Sequence, residues 1–190
     1  RFCVAPDGDL FKAIREKKAS VETDHIDCFT ENGLRLKSGK ELEADIIITA
    51  TGLQIVAFGD AKISIDNVPF NPSDKLTYKG LMLNDLPNFI FFAGYTNASW
   101  TLKSDLTSEY ASRLINLMDK KGHKVVVPKV SDMNMETVPL INLNSGYIHR
   151  STANLPKQGS KFPWKLYQNW IYDYFTLRVK SVKDDTLKFN

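Results

Sequence analysis

The hydrophobic positions of this chain change period several times, and each change predicts a new element. Over residues 8–18, Leu10, Phe11 and Ile14 stand at helical spacing with basic residues at the end, where they suit the negative pole of a helix, so a short surface helix is predicted. Ala19–Thr23, Ile26–Thr30 and Leu34–Leu36 are short β-prone stretches. Asn32-Gly33 and Ser38-Gly39 punctuate them as hairpin signals, and together they predict a small antiparallel unit. Glu41–Ala50 ends in Ile46-Ile47-Ile48-Thr49-Ala50, the kind of run carried by a strand buried on both faces, and Thr51-Gly52 closes it.

Alternation in Lys62-Ile63-Ser64-Ile65-Asp66, with turn residues at Asn67, Pro69 and Pro72, predicts short strands and loops between residues 61 and 83. Asn88–Ala93 is a second buried-strand candidate, followed directly by Gly94. Leu102, Leu106, Tyr110, Leu114 and Leu117 then recur every three or four residues, with Lys103, Asp105, Glu109 and Arg113 on other faces. This is a long amphipathic helix, with Asn97, Ser99 and Thr101 able to cap its start and Gly122 placed to stop it. Residues 124–145 read as a linker with a short strand at Val125–Val127. Residues 146–190 form a Trp- and Tyr-rich tail with a helix around Lys165–Arg178. Strand, irregular meander, strand and helix between 41 and 120 suit an α/β layer closing with its final strand and helix.

Composition sets bounds on this picture. With 190 residues, 43% of them hydrophobic and 25% charged, the chain has enough apolar surface to fold as one domain or one and a half. The net charge of +3 is local, because residues 146–190 carry eight Lys and Arg against three acids. A solvated surface that also meets a phosphate-bearing cofactor accounts for that excess, and nucleic acid is not expected as a partner. Cys3 and Cys28 have neither CxxC spacing nor neighbouring histidines, which argues against zinc or a disulfide and for a reducing, cytoplasmic compartment. The apolar runs Ile46–Ile48 and Phe89–Ala93 are too short to cross a bilayer, and no signal-peptide pattern opens the chain. Its first residue is Arg1, leading straight into Phe-Cys-Val, which reads as a cut start.

Candidate chemistry is sparse. None of the ten glycines stands two residues from another, so there is neither a GxGxxG fingerprint nor a P-loop to bring backbone close to a pyrophosphate. A GxSxG elbow, a His pair at metal spacing and a Cys–His pair are absent too; His25, His123 and His149 read as surface or loop residues. Neither a general acid or base nor a metal site is assigned, and the chain alone is expected to be inactive. Two strand ends remain. One is Ala50-Thr51-Gly52, small residues at the carboxyl end of a strand, the edge where open α/β sheets bind ligands; the pattern fits a core strand ending in a glycine turn equally well. The other runs from Gly94 through Asn97, Ala98, Ser99, Trp100 and Thr101 to Leu102 and opens the long helix, whose first N–H groups favour an anion or an oxygen gaining negative charge. On physics alone, these polar residues simply cap a helix.

Asp45-Ile-Ile-Ile-Thr-Ala-Thr-Gly52 and Gly94-Tyr-Thr-Asn-Ala-Ser-Trp-Thr-Leu-Lys103 resemble the flavin-containing monooxygenases, and especially the bacterial Baeyer–Villiger-type group that includes the ethionamide-activating enzymes. Pro6–Arg15, Ala19–His25, Leu76–Gly80, Leu155–Gly159 and Pro163-Trp164 extend the resemblance over nearly the whole chain. The stretch around Thr51 is common to many flavoproteins, whereas that from Gly94 to Lys103 is much more specific. The resemblance implies the C-terminal part of a two-dinucleotide-binding-domain flavoprotein. Residues 1–50 would end the NADPH-binding domain, 51–130 would be the C-terminal half of the FAD-binding domain, and 131–190 a C-terminal extension packed on it.

It further implies FAD and NADP as cofactors, the N-terminal remainder of the same enzyme as partner, and insertion of one oxygen atom from O2 into a ketone, sulfide, thioamide or nitrogen compound. Ala50, Thr51 and Gly52 would lie near both cofactors, and Asn97, Ala98, Ser99, Trp100, Thr101 and Leu102 would border the isoalloxazine, with Trp100 alternatively walling the substrate pocket. Both glycine fingerprints, the FxGxxxH-type signature and the arginine that Baeyer–Villiger members use near the flavin are missing from these residues. Two other readings remain: a fragment of a flavin-dependent pyridine nucleotide reductase, or a non-catalytic binding module acting through Trp164, Tyr167, Trp170, Tyr172, Tyr174 and Phe175.

Overall fold

The computed structural model describes residues 6–132, 134–143 and 145–190. The expectations for Arg1 and Cys3 lie outside those residues. The chain divides into two compact units, Arg1–Gly52 and Leu53–Asn190.

In the first unit, helix α1 spans Asp9–Arg15 and ends where Lys17 takes a left-handed φ of 58°. Its apolar residues stay exposed, Phe11 at 67%. Strands β1 (Ile26–Thr30), β2 (Gly33–Leu36) and β3 (Glu41–Glu43) form an antiparallel meander in the order β1-β2-β3; the β1–β2 hairpin is as expected, whereas β3 comes from the stretch expected to be a separate buried strand. Gly33 is required at the β2 start, since a Cβ there would come within 2.0 Å of the Leu42 carbonyl oxygen. Ala19–Thr23 is not a strand. The segment is tied to the meander by side chains, Lys40 bonding Glu22 at 2.6 Å and Asp24 accepting from the Ser38 N–H at 3.0 Å, rather than by a ladder.

The largest departure from expectation is at Ile46–Ile48. The strand ends at Glu43; residues 44–52 have no regular structure, and Ile46 and Ile48 are 80% and 84% exposed. A strand buried on both faces needs a ladder on each edge and a layer over each face, and none of the described strands pairs with this run.

The second unit begins with hairpin β4 (Ile63–Ile65) and β5 (Val68–Phe70), turned by Asp66 and Asn67, both at positive φ as a right-twisting two-residue turn demands. The small hairpin of β6 (Thr77–Tyr78) and β7 (Met82–Leu83) follows. Asn88–Ala93 is half-buried but, contrary to expectation, joins no ladder; two backbone bonds anchor it, from the Asn88 N–H to the Val126 carbonyl and from the Phe91 N–H to the Leu81 carbonyl. Helix α2 then runs Trp100–Lys121, about 33 Å at 1.5 Å per residue, and stops at left-handed Gly122 as its sequence indicates.

The remaining residues wrap back over α2. Strand β8 (Val126–Pro128) precedes β9 (Thr137–Pro139), α3 (Gly146–Ser151) and β10 (Lys157–Gly159), and β10 pairs with β9. Helix α4 (Trp170–Asp173) widens into a π-helical turn at Tyr174–Val179, and β11 (Leu187–Phe189) returns to pair with β8. The core joins Leu76, Tyr78, Leu81 and Met82 to Leu106, Tyr110 and Leu114 of α2, with Trp164, Leu177, Val182 and Leu187 from the tail closing it. The architecture is mixed helix with small antiparallel sheets. Among the described residues no helix is long and apolar enough to cross a membrane.

Candidate functional site

The first candidate group, Ala50, Thr51 and Gly52, lies in exposed irregular chain at the end of the first unit. Gly52 has a φ of 94° and open space where a Cβ would stand. No hydrogen-bonded arrangement there defines a binding surface.

The second group is built. Residues 94–99 lead from the half-buried Phe89–Ala93 segment into α2, and Ser99 is its N-cap by backbone geometry (φ −61°, ψ 136°). Its hydroxyl does not cap. It lies 2.7 Å from the Thr101 hydroxyl, while the Asn97 amide donates to the Gln168 carbonyl at 3.0 Å, so side-chain capping by Asn97, Ser99 and Thr101 is corrected. Those side chains found partners other than the helix's first N–H groups, so the positive pole of α2 is not neutralised by an adjacent cap. Trp100 stands at the helix start, 56% exposed, with its ring and Cα against Gly94: a Cβ on Gly94 would be 2.2 Å from Trp100 Cγ. Leu102, expected on the apolar stripe, is 42% exposed.

Behind the loop is a buried polar cluster that sequence reasoning missed. Tyr95 Oη donates to Asp173 Oδ2 at 2.7 Å, and Lys103 Nζ donates to the same oxygen at 2.8 Å. Lys103, expected on a polar face, is only 5% exposed, and its amine lies over the Tyr95 ring at 5.7 Å. Burial pushes the Lys103 amine below its ordinary value, partly offset by the Asp173 charge. Burial, reinforced by the Asp173 bond and charge, pushes the Tyr95 phenol well above its own. Removing one partner of such a buried pair typically costs about 3–5 kcal/mol. Gln168 adds a second tie, its Oε1 accepting from the Thr96 N–H at 3.0 Å and the Thr96 hydroxyl at 3.2 Å. These partners lie 70 to 78 residues apart in sequence, so no local pattern could have paired them.

A cavity of about 660 Å3 opens beside the loop, bordered by Thr96, Leu140, Gln158, Lys165 and Gln168. That is within the size range of small-molecule pockets. A second, apolar groove of about 330 Å3 runs along α2 between Ile90, Phe92, Ala111, Ile115 and Met118. The arrangement therefore offers a helix pole, an exposed aromatic ring and a rigid backing. This sequence supplies no closely spaced glycines of the kind that bring backbone to a pyrophosphate.

Comparison with known proteins gives the class of its relatives: over its whole length the chain is similar in sequence to proteins named FAD-containing monooxygenases. It is 48% identical over 189 residues to the FAD-containing monooxygenase EthA of Mycobacterium tuberculosis, covering all of this chain and 39% of that protein. It is also 48% identical over 191 residues to the probable FAD-binding monooxygenase AlmA of an Acinetobacter species, and 43% over 190 residues to the putative FAD-containing monooxygenase MymA of Mycobacterium tuberculosis. The chain spans about 38% of the length of the AlmA and MymA relatives. No family model matches it. No solved structure matches it either.

Proposed function

We propose that this chain is the C-terminal portion of an FAD- and NADPH-dependent monooxygenase that inserts one oxygen atom from O2 into a ketone or a sulfur or nitrogen centre. The observation carrying this reading is the 48% identity across the whole chain to proteins named FAD-containing monooxygenases. Bound FAD would supply the redox chemistry, accepting a hydride and activating oxygen. The part of this chain is to shape the flavin's surroundings. Asn97–Leu102 would border the isoalloxazine, where the N–H groups at the α2 start would favour the negative charge that the flavin gains on reduction. Trp100 would cover part of the ring or wall the substrate pocket, and Ala50–Gly52 would lie near the cofactors in the intact enzyme.

The domain assignment follows the same reading: residues 1–50 end the NADPH-binding domain, 51–130 complete the FAD-binding domain, and 131–190 pack on it. The unpaired Ile46–Ile48 run and the ladderless Phe89–Ala93 segment support an N-terminal remainder that completes the sheets. The names of the relatives favour a monooxygenase over a pyridine nucleotide reductase.

The test is to compare the 190-residue chain with a protein carrying it at the full length of its relatives. The longer protein should purify with flavin absorbance and take up O2 with NADPH and a ketone or thioether. Replacing Trp100 by Phe should move its flavin bands. The 190-residue chain should bind FAD weakly and not turn over. Flavin binding at ordinary affinity by the short chain, or a colourless long protein, would sink the proposal.

A further inference from the structure

We infer that Gln168, in the tail, is a positioning residue for the cofactor edge: it sets the path of the loop that delivers Trp100 and the α2 start. This rests on the flavin-edge reading above. Both flanks of the loop are fixed independently, because Tyr95 on one side and Lys103 on the other converge on a single Asp173 oxygen. Between them, Gln168 ties Thr96 and Asn97, by two bonds to its Oε1 and one to its backbone carbonyl. Gln168 itself has a φ of 51°, a left-handed conformation uncommon for a non-glycine residue. That uncommon backbone state falls at the point where its amide oxygen meets the loop. It also borders the cavity of about 660 Å3, so a ligand entering there would meet the clamp directly.

Chemistry makes the inference specific. The two loop donors both need an acceptor at the Oε1 position, so a carboxylate there should keep the clamp and a methyl group should abolish it. Alanine keeps a Cβ at the left-handed position, so Gln168→Ala removes the acceptor without relaxing the backbone, whereas Gln168→Glu retains it.

The experiment uses the FAD-loaded protein at the full length of its relatives and three variants, Gln168→Ala, Gln168→Glu and Trp100→Phe, with melting temperature recorded to confirm that each is folded. In Gln168→Ala the Thr96 amide should exchange with solvent about fivefold to tenfold faster. Its visible flavin bands should shift, and kcat should fall about tenfold with KM for NADPH changed less than about twofold, as expected when a positioned group moves by a fraction of an ångström. Gln168→Glu should restore all three. Unchanged Thr96 exchange in the alanine variant would overturn the clamp, and so would unchanged flavin bands when Trp100→Phe shifts them. If neither Trp100→Phe nor Gln168→Ala alters the flavin, the flavin-edge reading itself fails. If the glutamate variant behaves like alanine, the acceptor role is wrong.

Discussion

Gly94 is the residue on which the candidate site is most directly tested. Glycine is needed there for space, since an added Cβ would lie 2.2 Å from Trp100 Cγ and 2.6 Å from Trp100 Cα. The second distance matters more. A ring can rotate away, but a Cα moves only with the first turn of α2. Gly94→Ala is therefore expected to lower stability by about 1–3 kcal/mol through overpacking and to alter tryptophan emission; unchanged emission and melting temperature would show that the close packing is not maintained in solution. Lys103 carries the complementary lesson. Helical spacing placed it on a polar face, yet it is buried because Asp173 approaches from the tail and gives the amine a partner.

At the scale of elements, the tail helix is attached to α2 by charge as well as by apolar packing. Besides Lys103 and Asp173, Arg178 pairs with Glu109 at 2.8 Å. Arg113 donates to the carbonyls of Leu177 at 2.7 Å, Arg178 at 2.5 Å and Lys180 at 2.7 Å, satisfying the end of the π-helical turn, whose last carbonyls lack intrahelical donors. Arg113→Ala should destabilise the second unit by about 1–3 kcal/mol, and Arg113→Lys should recover little, because an ammonium cannot reproduce the fork that spans three carbonyls. Urea melts of the two variants check this, and full recovery by lysine would show that charge alone suffices. The turn and stop signals at this scale were legible: Asn67 in the β4–β5 hairpin and Gly122 after α2 do what local chemistry dictates. The Ile46–Ile48 and Phe89–Ala93 runs were not, because a hydrophobic run states a preference for burial without stating what covers it.

For the whole molecule, two carboxylates make acid the condition that loosens the core. Burial alone would raise Asp184, but the Tyr78 hydroxyl bond at 2.6 Å and the Lys79 amine at 3.0 Å outweigh it and hold it below the ordinary carboxylate value. Burial would likewise raise Asp85, and bonds from Lys129 and Lys75 outweigh it. Groups depressed in the folded state leave the unfolded chain binding more protons. Their stabilisation is thus fully present above the unfolded value of about 3.9 and is lost as pH falls through the lower folded values. The urea midpoint should decline below about pH 4, and less steeply in Asp184→Asn, which starts from a lower midpoint because Lys79 loses its partner. A midpoint that rises on acidification would contradict the assignment.

The sequence by itself determined what depends on neighbours within a few residues: the β1–β2 hairpin, the apolar repeat of α2 and its glycine stop, and the stretch from Gly94 to Lys103 that resembles the flavin-containing monooxygenases. Each is a local preference of backbone or turn chemistry, or a motif that needs no partner to be read. Tertiary structure alone decided that Lys103 is buried, that Ser99 does not cap with its hydroxyl, and that Gln168 and Asp173 return across more than 70 residues to fix the loop. Those outcomes depend on which side chain arrives from elsewhere to satisfy a charge or a donor, and that information is spread over the chain rather than written at any one position in it.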